Sequence, residues 1–163
     1  MGDNIKMETN IQLSTYEAMH SLDADFSFNN AGVCAQFWGR VKHFKNALKE
    51  FSFLEGGDII SLQTSEKFPK LSFVFSKPNH ARYHAVKFND NIEDFVVKHI
   101  SDAKASFTVE SMRLAFSRIT SDSLLCIVTL NNDGALSVKL MHEEKLFLAE
   151  SIILRQEDSD DDF

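Results

Sequence analysis

Cysteine is nearly absent from this chain: two residues in 163, Cys34 and Cys126, far apart. That is too few for a disulfide scaffold and the wrong spacing for a zinc site, so both are expected as buried, reduced thiols. No apolar run reaches the roughly 18–20 residues that a membrane span needs. The start, MGDNIKMETN, lacks the apolar core of a signal peptide. Its Met-Gly is a poor lipidation signal, because Lys6 stands where that pattern wants Ser or Thr. A soluble protein of the cytosol or nucleus, without membrane contact, is the expectation. Polar-tipped aromatics are scarce too, with two Tyr and one Trp against fifteen Phe. Many buried rings with no hydroxyl to satisfy are therefore expected.

What is present is enough for one globular domain, with 44% apolar residues in a length that can close a core. Net charge is −7, but the last seven residues, 157–163, hold five acids and no base. Without them the charge falls to −2, so acidity is largely a tail property and leaves room for nucleic-acid contact by one face. Within that tail Ser159, followed by three acids, resembles an acid-directed kinase site.

Periodicity predicts about nine short strands and two helices. Leu22–Phe28 alternates as a half-buried strand. A helix is predicted over 37–51 from the stripe Phe37, Val41, Phe44, Leu48 and Phe51, spaced 4, 3, 4, 3. Strands follow at 58–65, 71–76 and 82–88, then a weakly structured loop at 89–102. A strand at 104–108 leads into a second helix at about 109–120, with Met112, Ala115, Phe116 and Ile119 as its stripe. Strands at 124–130, 135–141 and 146–154 close the chain, the first pair joined by a hairpin at Asn131–Gly134. The order strand, helix, three strands thus occurs twice, with helix starts about 72 residues apart. Neither unit can cover its sheet alone. The fold class expected is α+β, with antiparallel sheets and two adjacent helices on one face. A flexible lead at 1–20, a domain at 21–154 (repeats 21–88 and 103–154) and a disordered acidic tail at 155–163 complete the expected organisation.

The first helix carries the main functional hint. At about 100° per residue, Lys42, Lys45 and Lys49 fall within about 60° of one another, with no acid among them. Arg40 flanks the apolar stripe. A plain solvated surface is the commoner meaning of such a face, and a phosphate-tracking surface is the functional one. Nothing nearby supplies the Asn, Gln and Arg cluster of base readout, so any DNA binding is expected to ignore sequence. Arg113 and Arg118 lie on the polar side of the second helix with Ser111 and Ser117, and could extend a basic surface.

Catalytic patterns are missing. There is no Walker loop and no Gly-x-Ser-x-Gly. Gly56-Gly57-Asp58 is expected as a turn. His80 and His84, four apart on a strand, are expected as ordinary surface histidines, and no metal or cofactor is expected. Asp23 and Asp25 are the only tempting carboxylate pair for two-metal hydrolysis, and the wet face of a strand explains them as well.

The repeat and the lysine face bring a family into view. The segments SLDADFSF, VKHFKNALKEF, GDIISLQTSEKFPKLSFVF, VKFNDNIEDF and LNNDGALSVKLMHEEK, with the acidic end, resemble the ring-shaped DNA sliding clamps. That group contains the proliferating-cell nuclear antigen and the heterotrimeric checkpoint clamp, and the likeness is nearest to the C-terminal domain of the Rad-one subunit. It covers residues 21–163. The resemblance implies a non-catalytic subunit or fragment that encircles double-stranded DNA in a hetero-oligomeric ring in the nucleus. Implied partners are the other checkpoint-clamp subunits, an ATP-driven clamp loader, and docked checkpoint and repair proteins. It implies that Lys42, Lys45, Lys49, Arg113 and Arg118 face the hole. Such a subunit has two domains and this chain has length for one, which is expected to offer one ring-closing edge. The alternative is a clamp-derived interaction module that does not encircle DNA.

Overall fold

The computed structural model describes residues 28–77, 82–89, 91–117, 124–141 and 147–156. Val33–Arg40 forms β1, which runs directly into helix α1 at Val41–Lys49. Strands β2 (Ile59–Thr64), β3 (Leu71–Lys77), β4 (Arg82–Lys87), β5 (Val96–His99) and β6 (Ala103–Thr108) follow. Helix α2 (Val109–Ser117) precedes β7 (Leu125–Asn131), β8 (Leu136–Met141) and β9 (Phe147–Ile153). All pairing is antiparallel, in a five-stranded sheet ordered β5-β1-β7-β8-β9 and a four-stranded sheet ordered β4-β3-β2-β6. The strand–helix–three-strand order therefore recurs with one extra strand, β5, between the two units, and each unit exchanges its leading strand. β1 pairs with β7 of the second unit, and β6 pairs with β2 of the first.

The helix expected over 37–51 begins four residues later than its apolar stripe suggests. Phe37 is buried, but as a strand residue: Ala35 and Phe37 face the core while Gln36, Trp38 and Arg40 alternate outward. Gly39 favours the strand as well. A Cβ there would lie 3.2 Å from the Phe44 and Phe95 rings, which pack against its bare backbone. Residue 41 is in phase with both periods, so the stripe runs across the boundary without a break. Phe51 lies past the helix end yet is fully buried.

Two further expectations change. The loop at 89–102 contains β5, which pairs with β1 opposite Gln36, Phe37 and Trp38. Four residues are too few to show an alternation, and its core contribution comes from Phe95 and Val97. The strand expected at 22–28 falls outside the described residues except for Phe28, which is buried in a helical turn before β1.

The two helices start differently. Arg40 gives α1 no side-chain cap, and the Val41 N–H donates instead to the Leu124 carbonyl at 2.9 Å. For α2, Thr108 caps, its Oγ1 accepting from the Ser111 N–H at 3.1 Å. The Val109 and Glu110 N–H groups donate to Asp58 and Gly56 carbonyls at 2.8 and 3.0 Å. Gly56 permits that approach, because a Cβ there would sit 3.3 Å from Glu110 Cβ.

Phenylalanine holds the helices to the sheets. The Phe44 ring meets Phe116 of α2 at 5.4 Å, stacked, and Phe88 at 5.3 Å. Phe88 in turn meets Phe73 and Phe95. These rings need no polar partner, so the core can close around them without orphaned hydroxyls. Both thiols are buried, and burial raises both pKa values; a Ser101 hydrogen bond partly offsets this at Cys34. The Asn131–Gly134 hairpin forms as expected: Asn131 Oδ1 accepts from Asp133 and Ala135 N–H groups, and Gly134 supplies φ +80°.

Candidate nucleic-acid interface

Helix α1 buries Val41, Phe44, Ala47 and Leu48, which turns its opposite side outward. Lys42 and Lys49 are exposed on that side and Lys45 is half-buried. The spacing 42, 45, 49 follows the helical period, so the three ammonium groups share one surface. His43, Asn46 and Glu50 turn toward β4, where with Val86, Lys87, Phe88 and Ile92 they line a smaller groove. His43 Nε2 lies 3.2 Å from the Glu93 carbonyl, within hydrogen-bonding distance.

Between α1 and α2 lies an open groove of roughly 590 Å³. Lys45, Lys49, Ser52, Arg113 and Ser117 line it above a floor of Leu48 and Phe116. The structure thus brings Lys45, Lys49 and Arg113 together, while Lys42 remains on the outward side of α1. Arg113 is half-buried and bonds to backbone. Its Nη2 donates to the Phe51 carbonyl at 3.0 Å and to the Leu54 carbonyl at 3.4 Å, tying α2 to the turn that ends α1. Arg118 lies outside the described residues. Arg40, the last residue of β1, is held at 3.2 Å by Asp94 of the segment before β5.

The second helix contributes little positive charge. Beside Arg113 its exposed positions are Glu110, Leu114 and Ser117, and Leu114 is 55% exposed. Ser117 Oγ donates to the Leu114 carbonyl at 3.2 Å. Ser52 is the polar lining residue that the sequence reading did not single out. It follows Lys49 by three positions on the same side, a signal visible only if the face is continued past the helix end.

Elsewhere the chemistry is sparse. Among the described residues no group of three His, Cys, Asp or Glu side chains could hold a metal ion, and no helix is long and apolar enough to cross a membrane. Asp23, Asp25 and His80 lie outside the described residues. His84 sits edge-on to Phe51 and Phe53, at 5.2 and 5.6 Å. Asp102, just before β6, accepts the Glu66 N–H of the β2–β3 turn at 2.8 Å, which with a Ser65 hydrogen bond lowers its carboxyl pKa.

No protein-family model and no curated protein sequence matches this chain. Among solved structures it is similar to the crystal structure of Proliferating Cellular Nuclear Antigen from Entamoeba histolytica, with a TM-score of 0.50 and 19% sequence identity. The match covers 73% of this chain and 46% of that one, so the chain spans about half the length of the structure it resembles. With its two antiparallel sheets and paired helices, the chain has a sliding-clamp-like fold.

Proposed function

We propose that this chain is a non-catalytic unit of a DNA sliding clamp, and that Lys42, Lys45 and Lys49 turn toward sequence-independent contacts with duplex phosphates. The observation that carries the reading is the α1 surface: three lysines in helical register, without an acid among them, on a clamp-like fold in a chain of net charge −7. In so acidic a chain, a face free of acids concentrates what positive potential there is. Lysines without a readout cluster suit a partner whose backbone matters and whose sequence does not.

The checkpoint assignment is finer. Its support is the sequence likeness to the Rad-one subunit, which would place the chain in the nucleus beside other checkpoint-clamp subunits, a loader, and the checkpoint and repair proteins that such a ring recruits. Its domain would span 21–154, flanked by the lead and the acidic tail. Strand β4 ends one sheet and β9 ends the other among the described residues. Strands β5 and β6 end the same two sheets on their other sides, and the single domain is read as offering one ring-closing edge.

The test is mass measurement of the native complex, with DNA retention measured for the Lys42→Glu, Lys45→Glu, Lys49→Glu triple variant. A hetero-oligomer that loses its grip on DNA while keeping its melting temperature is expected. Unchanged retention would remove the lysine face from the mechanism. A second reading, an interaction module without encirclement, draws support from Glu110 and exposed Leu114 on α2, which suit a protein surface better than a phosphate backbone. Stable binding to a clamp subunit with no effect on DNA retention would select it.

A further inference from the structure

We infer that the phosphate seat is the groove between α1 and α2 rather than the outward surface of α1. Lys45 and Lys49 are its charged ligands, Ser52 is a neutral donor, and Arg113 is a positioning residue that prepares the groove without binding the anion. The inference rests on the proposed DNA-facing role of the lysine surface and specifies where on that surface a phosphate sits.

Three observations carry it. First, the groove gathers Lys45, Lys49 and Ser52 around one space, and Lys42 is not part of its lining. Second, its floor is Leu48 and Phe116, which are 5% and 1% exposed. A low-dielectric wall on one side strengthens the field of the rim charges, whereas a charge facing open water, such as Lys42, is screened within about 8–10 Å.

Third, the groove adjoins the C-terminal end of α1, where carbonyl oxygens carry partial negative charge and would repel an anion. Arg113 answers this directly. It donates to the Phe51 and Leu54 carbonyls of the turn that follows α1, which places a positive charge beside that helix end. The same bonds hold the turn that carries Ser52, whose own N–H donates to the Lys49 carbonyl at 3.0 Å. Arg113 therefore shapes the seat through Phe51 and Leu54, with both Nη groups bonded to those carbonyls. Ser117, across the groove, already donates its hydroxyl to Leu114.

The experiment uses the full chain with two probes, a short labelled DNA duplex and inorganic phosphate. Duplex affinity is measured against salt for the wild type and for Lys42→Gln, Lys45→Gln, Lys49→Gln and Arg113→Gln. Removing one phosphate contact lowers the slope of log K against log salt by about 0.9. Lys45→Gln and Lys49→Gln are each expected to show that drop, and Lys42→Gln to leave the slope near wild type. Arg113→Gln is expected to weaken binding at unchanged slope while amide exchange rises at Ser52 and Leu54. Inorganic phosphate is expected to shift the Lys49 and Ser52 amide resonances of the wild type.

The seat is overturned if Lys42→Gln lowers the slope as much as Lys45→Gln. It is also overturned if Arg113→Gln lowers the slope by a full contact, or if phosphate leaves the groove amides unmoved. The two readings fail separately. Phosphate bound in the groove of a chain that does not retain duplex sinks the DNA-facing role and supports the seat. Duplex retained through Lys42 alone does the reverse.

Discussion

Helices α1 and α2 have the same length, follow a strand in the same way and stack on each other through Phe44 and Phe116, yet their outward surfaces differ. Lys42, Lys45 and Lys49 populate the first, and Glu110, Leu114 and Ser117 the second. The one strong cation of α2 among the described residues, Arg113, is turned onto carbonyls of the turn that follows α1. Two copies of one supersecondary unit have thus divided their roles. One helix presents charge, and the other braces the turn beside it. A count of basic residues per helix misses this, because it treats an arginine in contact with carbonyls and a lysine facing water as equal.

Three pairs of substitutions bear on this comparison in descending order of effect. The largest is Phe44→Ala. Phe44 is fully buried and shared by both helices, so a loss of about 3–5 kcal/mol is expected in denaturant unfolding, against about 0.5 kcal/mol or less for Leu114→Ala on the exposed side of α2. If the two losses are similar, the helices do not share one core.

Arg113→Ala comes next. It strips partners from the Phe51 and Leu54 carbonyls and is expected to cost about 1–3 kcal/mol, while Lys42→Ala on the exposed side of α1 stays within about 0.5 kcal/mol. Equal, negligible losses in thermal melts would return Arg113 to the class of surface cations and erase the division between the helices.

Smallest is the difference at the helix starts. Thr108→Ala removes the α2 cap and is expected to cost about 1 kcal/mol, recoverable in part by Thr108→Ser. Arg40→Ala removes no cap from α1 and breaks the partly exposed pair with Asp94, worth roughly 0.2–1 kcal/mol. Urea midpoints of the two variants compare these directly, and a larger loss at Arg40 would mean that α1 depends on its strand junction more than on Leu124.

Much of this architecture was legible beforehand. The strands at 58–65, 71–76 and 82–88 and the three that close the chain correspond closely to β2–β4 and β7–β9, because alternation is a local property of a half-buried strand. The start of α1 was not legible. Phe37 and Val41 satisfy the helical period and the strand period at once, and what separates them is Gly39 under the Phe44 and Phe95 rings, a contact between distant residues. Nor was β5, whose four residues become a strand only by pairing with β1. Among the candidate site residues, the shared surface of Lys42, Lys45 and Lys49 followed from spacing alone. The partners of Arg113 and the place of Ser52 in the groove did not.

The sequence by itself determined the class of this protein: a Phe-rich α+β domain with a repeated strand–helix–three-strand order, one lysine-bearing helix surface and an acidic end. These follow from composition and local period. Only the tertiary structure decided which leading strand joins which sheet, which lysines border the interhelical groove, and that Arg113 bonds carbonyls 62 and 59 residues away along the chain. Such contacts depend on how the two units close on each other, and nothing local in the chain encodes that distance.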